Sequence, residues 1–200
     1  MVEMNVTVYS DYICPFCYLG TKRILGLAKE FDLNIDWKGI EIHPEFPPEG
    51  KKRTKTLKSK SFAKTIYTMA DEDNIKIKLP GFATNSRRAL EASEFAKTKD
   101  RLLEFHLSVY EAYFLEGQNI GDTETVLKIG EKAGISKKEL RQCLDERAMF
   151  DNIEANKKEA EDNFILGVPS FLFGTFPLYG NQSTDTMKQI IKRSLEISKG

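Results

Sequence analysis

Apolar and polar positions alternate with two different periods along this chain, and the switches between them outline its elements. Val6 to Ser10 is short and β-rich, which predicts a buried first strand. From about Phe16 to Phe31, Leu19, Ile24, Leu25, Leu27, Ala28 and Phe31 form a stripe at helical spacing. Asn34 to Ile42 returns to a period of two and predicts a second strand. His43 to Gly50 holds three prolines and a glycine, so regular structure stops there. Lys51 to Lys60 is basic and polar and reads as an exposed, solvated loop, with a patch for an anionic ligand as the alternative.

From about Thr56 to Asn163 the signals are helical. Arg87 to Lys97, Arg101 to Glu116, Asp122 to Ala133, Lys137 to Arg147 and Asn152 to Asn163 each read as a helix, and Ser136 with Glu139 fits a capping box. Strand chemistry resumes after Gly167-Val168-Pro169-Ser170. Ser170 to Phe173 and Phe176 to Tyr179 flank Gly174-Thr175 as a hairpin, and Ser183 or Thr184 can cap a last helix to about Ser198. The order is βαβ, many helices, then ββα. Without the helices it is the element order of a thioredoxin-like α/β fold, a central mixed sheet carrying a large all-helical insertion. The expected division is 1–50 with 165–200 for the sheet domain and 51–164 for the insertion.

Bulk properties narrow the function classes. Two hundred residues suffice for a core without staples. Thirty Lys and Arg balance thirty Asp and Glu, so nothing draws the chain to nucleic acid or an anionic membrane surface. No apolar run approaches the roughly 20 residues of a membrane helix, and the first residues lack the pattern of a secretory signal, so a cytoplasmic location is expected. Three cysteines, Cys14, Cys17 and Cys143, are too few and too odd in number for a disulfide framework.

Cys14-Pro15-Phe16-Cys17 sits where the first strand hands over to the first helix. A thiolate, not a thiol, attacks a disulfide, and a CxxC at a helix start can lower a cysteine pKa from about 8.5 to about 3.5–7.5. The first N–H groups of a helix lack partners and carry partial positive charge, and Pro15 suits the first helical position. Cys14 is then the attacking thiol and Cys17 the resolving one. Two other readings remain. A zinc site needs about four ligands, and only Cys143, His43 and His106 are left to complete one. The pair can also be an inert packed pair. No metal or cofactor is expected.

Here the chain resembles the DsbA family, and within it the FrnE-like oxidoreductases. The likeness runs through Ser10 to Gly20, the proline-rich Pro44 to Gly50, Tyr113 to Ile120, Gly167 to Phe171 and Gly180 to Ser183. It implies a thiol–disulfide oxidoreductase acting on protein or small-molecule thiols and disulfides, glutathione among them. It also implies that Pro169 is cis and faces the cysteines, with Pro15, Phe16, Val168 and Pro169 contacting substrate and the Val168 backbone open to strand addition. Oxidising members carry His where this chain has Phe16, so a less oxidising pair is expected. The related 2-hydroxychromene-2-carboxylate isomerases and kappa-class glutathione transferases usually carry Ser in place of Cys14. A glutathione-dependent isomerase or transferase, and a non-catalytic chaperone-like binder, stay open as alternatives.

Elsewhere the plainer readings lead. Cys143 shares an apolar helical face with Leu140 and Leu144. His106 sits among apolar residues as a structural histidine, and His43 either tunes Cys14 or caps its loop. Tyr12 and Tyr18 pack the helix, although Tyr18 can lie near the thiols. Tyr110, Tyr113 and Phe114 form an aromatic cluster on one helix that packs the core or lines a groove.

Overall fold

Strand β1 (Met4–Ser10) runs through the middle of the sheet in a computed structural model that describes residues 3–54 and 56–197. It is followed by α1 (Pro15–Leu27), β2 (Leu33–Gly39), β3 (Lys51–Lys52), α2 (Leu57–Glu72) and β4 (Phe82–Ala83). The helices α3 (Arg87–Lys97), α4 (Leu102–Phe114), α5 (Thr123–Lys132), α6 (Lys137–Asp145) and α7 (Phe150–Asp162) come next. The chain closes with β5 (Ser170–Phe173), β6 (Phe176–Tyr179) and α8 (Thr184–Ile197). The main sheet has the order β2-β1-β5-β6, with β1 parallel to β2 and the remaining pairs antiparallel. This is the expected thioredoxin-like α/β fold.

Strand β1 alternates Met4, Val6 and Val8 with Asn5 and Thr7, and both of its faces are covered toward its C-terminal end, where Val8, Tyr9 and Ser10 are all buried. Val6 and Val8 pack with Ile24, Leu27, Phe171, Met187 and Ile191, the side of α1 and α8. Tyr9 points the other way, against Ala160 and Ile165 at the end of α7. Helix α3 comes so close to β2 that a Cβ on Gly39 would lie 2.8 Å from Leu90 Cδ2. A second core joins the N-terminal segment to the inserted helices. Tyr12, Ile13, Cys14, Cys17 and Tyr18 share it with Tyr110, Tyr113 and Phe114 of α4.

Three expectations need correction. The second strand stops at Gly39, not Ile42. Its partner β1 has ended by then: Ile40 N–H still reaches the Ser10 carbonyl at 2.9 Å, but Ile42 N–H turns to the Asp11 carboxylate. Lys51 to Lys60 is not one loop. Lys51 and Lys52 pair with Ala83 and Phe82, and α2 begins at Leu57 behind a reciprocal Thr56–Ser59 capping box. A two-residue ladder has no period to read, and its partner lies thirty residues away. At Ser136 only half of a capping box forms. The hydroxyl accepts from Glu139 N–H at 3.4 Å, while the Glu139 carboxylate pairs with Lys99 at 3.0 Å.

The remaining helices match their predictions to within a few residues, and Ser183 caps α8 by accepting from Thr186 N–H at 3.1 Å. The predicted end at Ser198 lies outside the described residues. Among those described, no helix is long and apolar enough to cross a membrane.

Candidate active site

Cys14 is the N-cap of α1, with extended backbone (φ −88°, ψ 114°) and Pro15 starting the first turn. Its carbonyl accepts from Cys17 N–H at 3.1 Å and Tyr18 N–H at 3.2 Å, so the turn that spaces the cysteines is itself the helix start. The two cysteines approach to 3.4 Å, and both are free thiols. The first turn carries no acidic residue, and the Cys14 side chain makes no capping bond to it. No acidic side chain of the first turn therefore competes for the partial positive charge of the helix start.

The two thiols are not equivalent. Cys17 is 1% exposed, and burial, with the Cys14 sulfur beside it, pushes its pKa well up. Cys14 is 6% exposed but borders an open cavity of about 500 Å³. Its thiol points at the Val168 carbonyl oxygen, 3.9 Å away. The Val168–Pro169 peptide is cis.

Asp11 is the residue the sequence reading passed over. It is fully buried between the end of β1 and the dithiol. Its carboxylate accepts from Ile13 N–H at 3.1 Å and Ile42 N–H at 2.8 Å. Its own N–H donates to Cys17 Sγ at 3.5 Å, and its carbonyl accepts from Cys14 N–H at 3.2 Å and from the Tyr110 hydroxyl at 3.4 Å. One residue thus ties the dithiol turn to the cavity wall at Ile42. The available signal was an Asp two residues before Ile13, the spacing of an Asx turn.

Burial drives the Asp11 carboxyl from an ordinary 3.8 up to about 6, against the bonds from Ile42 and Ile13 N–H that hold it down. An acid whose folded pKa is raised contributes stability below its unfolded pKa and loses it as pH rises through the folded value. A difference of about two pKa units is about 3 kcal/mol. Relative to Asp11→Asn, which does not titrate, the wild type is expected to lose about 3 kcal/mol of unfolding free energy between about pH 4 and pH 7. Denaturant titrations at each pH measure this, and identical pH dependence in the two proteins would contradict it.

The cavity beside Cys14 is lined by residues between Ile13 and Ala83. Ile13, Pro15 and Phe16 form one side, and Ile42, His43 and Phe46 another. Phe62 of α2 meets Phe16 edge to face at 5.6 Å, and Lys51, Lys52 and Arg53 complete the rim. His43 stacks on Phe46 at 4.3 Å and its Nδ1 pairs with Glu45 at 2.9 Å, so it braces its own loop while facing the cavity. Val168 and Pro169 line an adjoining cavity of about 450 Å³. Of the predicted residues, Cys14, Pro15 and Phe16 therefore line one cavity and Val168 and Pro169 the other, linked where the Cys14 thiol meets the Val168 carbonyl, with Cys17 buried behind Cys14.

The other singled-out residues lie elsewhere. His106 is buried, bonded to the Tyr12 hydroxyl at 3.0 Å and facing Thr21 Oγ1 at 3.5 Å. Burial holds its pKa down to about 3, so it is a neutral core histidine at physiological pH. Cys143 is buried in α6, and burial pushes its thiol up to about 11. Tyr18 packs on Tyr110 and Phe114, and its hydroxyl reaches the Lys76 carbonyl at 3.3 Å. Among the described residues, no group of three or more His, Cys, Asp and Glu is placed to hold a metal ion.

A βαβ–ββα sheet with a CxxC at the tip of its first helix and a cis-proline loop across from it defines a thioredoxin-like protein. The DSBA-like thioredoxin domain model matches residues 5–192, and the chain belongs to that family of thiol oxidoreductases. A Bacillus subtilis protein, the uncharacterized YwbO, is 28% identical over 193 residues, covering 95% of this chain and 96% of its own. The structure of a probable DsbA oxidoreductase from Streptomyces coelicolor is similar with a TM-score of 0.88 at 18% identity, over 96% of this chain and 90% of that one. A 2-hydroxychromene-2-carboxylate isomerase gives 0.82 at 20% identity over 98% of both chains. The cytosolic disulfide reductase DsbM from Pseudomonas aeruginosa, solved with GSH, gives 0.69 at 15% identity over 96% of this chain and 99% of that one.

Proposed function

We propose that this chain is a thiol–disulfide oxidoreductase in which Cys14 attacks and Cys17 resolves, acting on protein or small-molecule thiols and disulfides in the cytoplasm. The observation that carries the reading is the asymmetry of two thiols 3.4 Å apart: Cys14 opens on a cavity and Cys17 lies sealed behind it. In the reducing direction the Cys14 thiolate attacks a substrate disulfide, one S–S bond breaks, and a substrate thiolate leaves. Cys17, deprotonated, then displaces the second substrate thiolate and closes a Cys14–Cys17 disulfide. Two electrons pass to the substrate, and the same steps reversed oxidise a dithiol. No cofactor is required.

Pro15, Phe16, Val168 and Pro169 are the proposed substrate contacts, the Val168 carbonyl offering an extended segment a main-chain partner. The helical insertion, 51–164, would supply the far wall through residues such as Lys51 and Phe62. A glutathione-dependent isomerase would leave Cys17 without a role, so the oxidoreductase reading is preferred. The test is turnover of insulin disulfides with dithiothreitol as the electron source. Catalysed precipitation is expected, and a rate equal to the uncatalysed one would overturn the proposal.

A further inference from the structure

The opening beside Cys14 is one part of a longer trough. Ile42 lines both the 500 Å³ cavity and a neighbouring hollow of about 250 Å³. Leu166 and Val168 line both that hollow and the 450 Å³ cavity at the cis-proline loop. Three depressions are therefore joined in series: Cys14 lines the first, and Val168, whose carbonyl faces the Cys14 thiol, lines the other two.

The two ends differ in chemistry. The end at Cys14 has Lys51, Lys52 and Arg53 on its rim and, among the described residues, no carboxylate. Lys51 Nζ sits 4.2 Å over the Phe46 ring, and Arg53 Nε is held by the Phe82 carbonyl at 3.0 Å, so these two charges have defined positions. The far end has no charged residue among those described, and its side chains are turned outward: Leu166 is 95% exposed and Phe164 79%, with Tyr179 half-exposed beside them. Three large, mainly apolar side chains presented together at the cis-proline loop are what a partner's apolar side chains would cover.

We infer that the substrates are cysteine-bearing polypeptide segments of two-sided polarity, with an acidic residue on one flank of the cysteine and a large apolar residue on the other. This rests on the oxidoreductase reading above and deepens it. The acidic flank meets Lys51, Lys52 and Arg53, which orient and accelerate encounter. The apolar flank covers Phe164 and Leu166, and the segment's main chain lies along Val168. Free glutathione carries carboxylates but no apolar flank, so it engages one end only.

The experiment uses the full chain, reduced, with peptides whose single cysteine is joined by a disulfide to nitrothiobenzoate. Attack by Cys14 and resolution by Cys17 break the peptide–aryl disulfide and release the coloured aryl thiolate, with the Cys14–Cys17 disulfide as product and no other oxidant. One peptide has an acidic residue before the cysteine and leucine after it, and a second has the reverse order. Two more replace the acid by lysine or the leucine by serine, and the glutathione aryl disulfide is the small-molecule arm. One of the two orders is expected to react about tenfold faster than the other and than every replacement. Lys51→Glu with Lys52→Glu should transfer the preference from the acidic to the lysine peptide, and Leu166→Ser should remove the preference for leucine over serine. Leu166 is so exposed that its substitution leaves the core intact. Added salt should erode the charge preference, because exposed charges are screened within about 10 Å at 0.1 M. Equal rates across the peptides, or a glutathione derivative as fast as the best peptide, would overturn the inference. Failure of every aryl disulfide to react would instead overturn the oxidoreductase reading itself.

Discussion

Replacing Cys14 by serine is expected to lower insulin reduction and dithiol oxidation by on the order of a thousandfold or more. Serine keeps the size of the side chain and the helix start, so the fold should survive. What it removes is the sulfur nucleophile, and the hydroxyl in its place neither attacks sulfur nor forms the closing disulfide. Cys17 cannot substitute, because it is buried behind Cys14 and its pKa is pushed well up by that burial. Cys17→Ser should behave differently: the first attack persists, and mixed disulfides on Cys14 accumulate and are visible by mass. Full turnover by Cys14→Ser would remove the basis for assigning it as nucleophile.

Replacing Tyr110 by alanine should destabilise the fold by about 3–5 kcal/mol, the range for deleting a large buried aromatic. Its ring is wholly buried and sits 5.0 Å from Tyr12, 5.0 Å from His106 and 5.5 Å from Tyr18. Its hydroxyl reaches the Asp11 carbonyl, the same oxygen that takes Cys14 N–H. The void would therefore open directly beneath the dithiol turn. Tyr110→Phe keeps the ring and should cost about 1 kcal/mol, the worth of one hydrogen bond. Denaturant unfolding of both variants measures this. A loss below about 1 kcal/mol for the alanine variant would mean that this aromatic floor is not what supports the site.

These expectations show where sequence reading reached and where it stopped. The strand ending at Ser10, the proline at the first helical position and the cysteine spacing are local features, and they placed Cys14 and Cys17 correctly at a helix start. The loop at Val168 and Pro169 is more than 150 residues away in sequence, and only the resemblance to a family set it opposite the cysteines. Only the Asx turn of Asp11 with Ile13 was legible, not its bond to Ile42. Its carboxylate matters because β2 runs out where β1 has already ended, leaving Ile42 N–H to be satisfied from 31 residues away. The basic stretch from Lys51 left a solvated loop and an anionic-ligand patch both open, and only the pairing of Lys51 and Lys52 with Ala83 and Phe82 puts them beside the cavity.

The most direct test of the account is a redox titration of the intact chain in thiol buffers, read by alkylation and mass. A single two-electron transition joining Cys14 to Cys17 is expected, with Cys143 alkylated throughout under denaturing conditions. With Phe16 between the cysteines, the potential should lie below the roughly −120 mV of a strongly oxidising pair. Absence of a Cys14–Cys17 disulfide, a transition that consumes Cys143, or a potential at or above about −120 mV would contradict it.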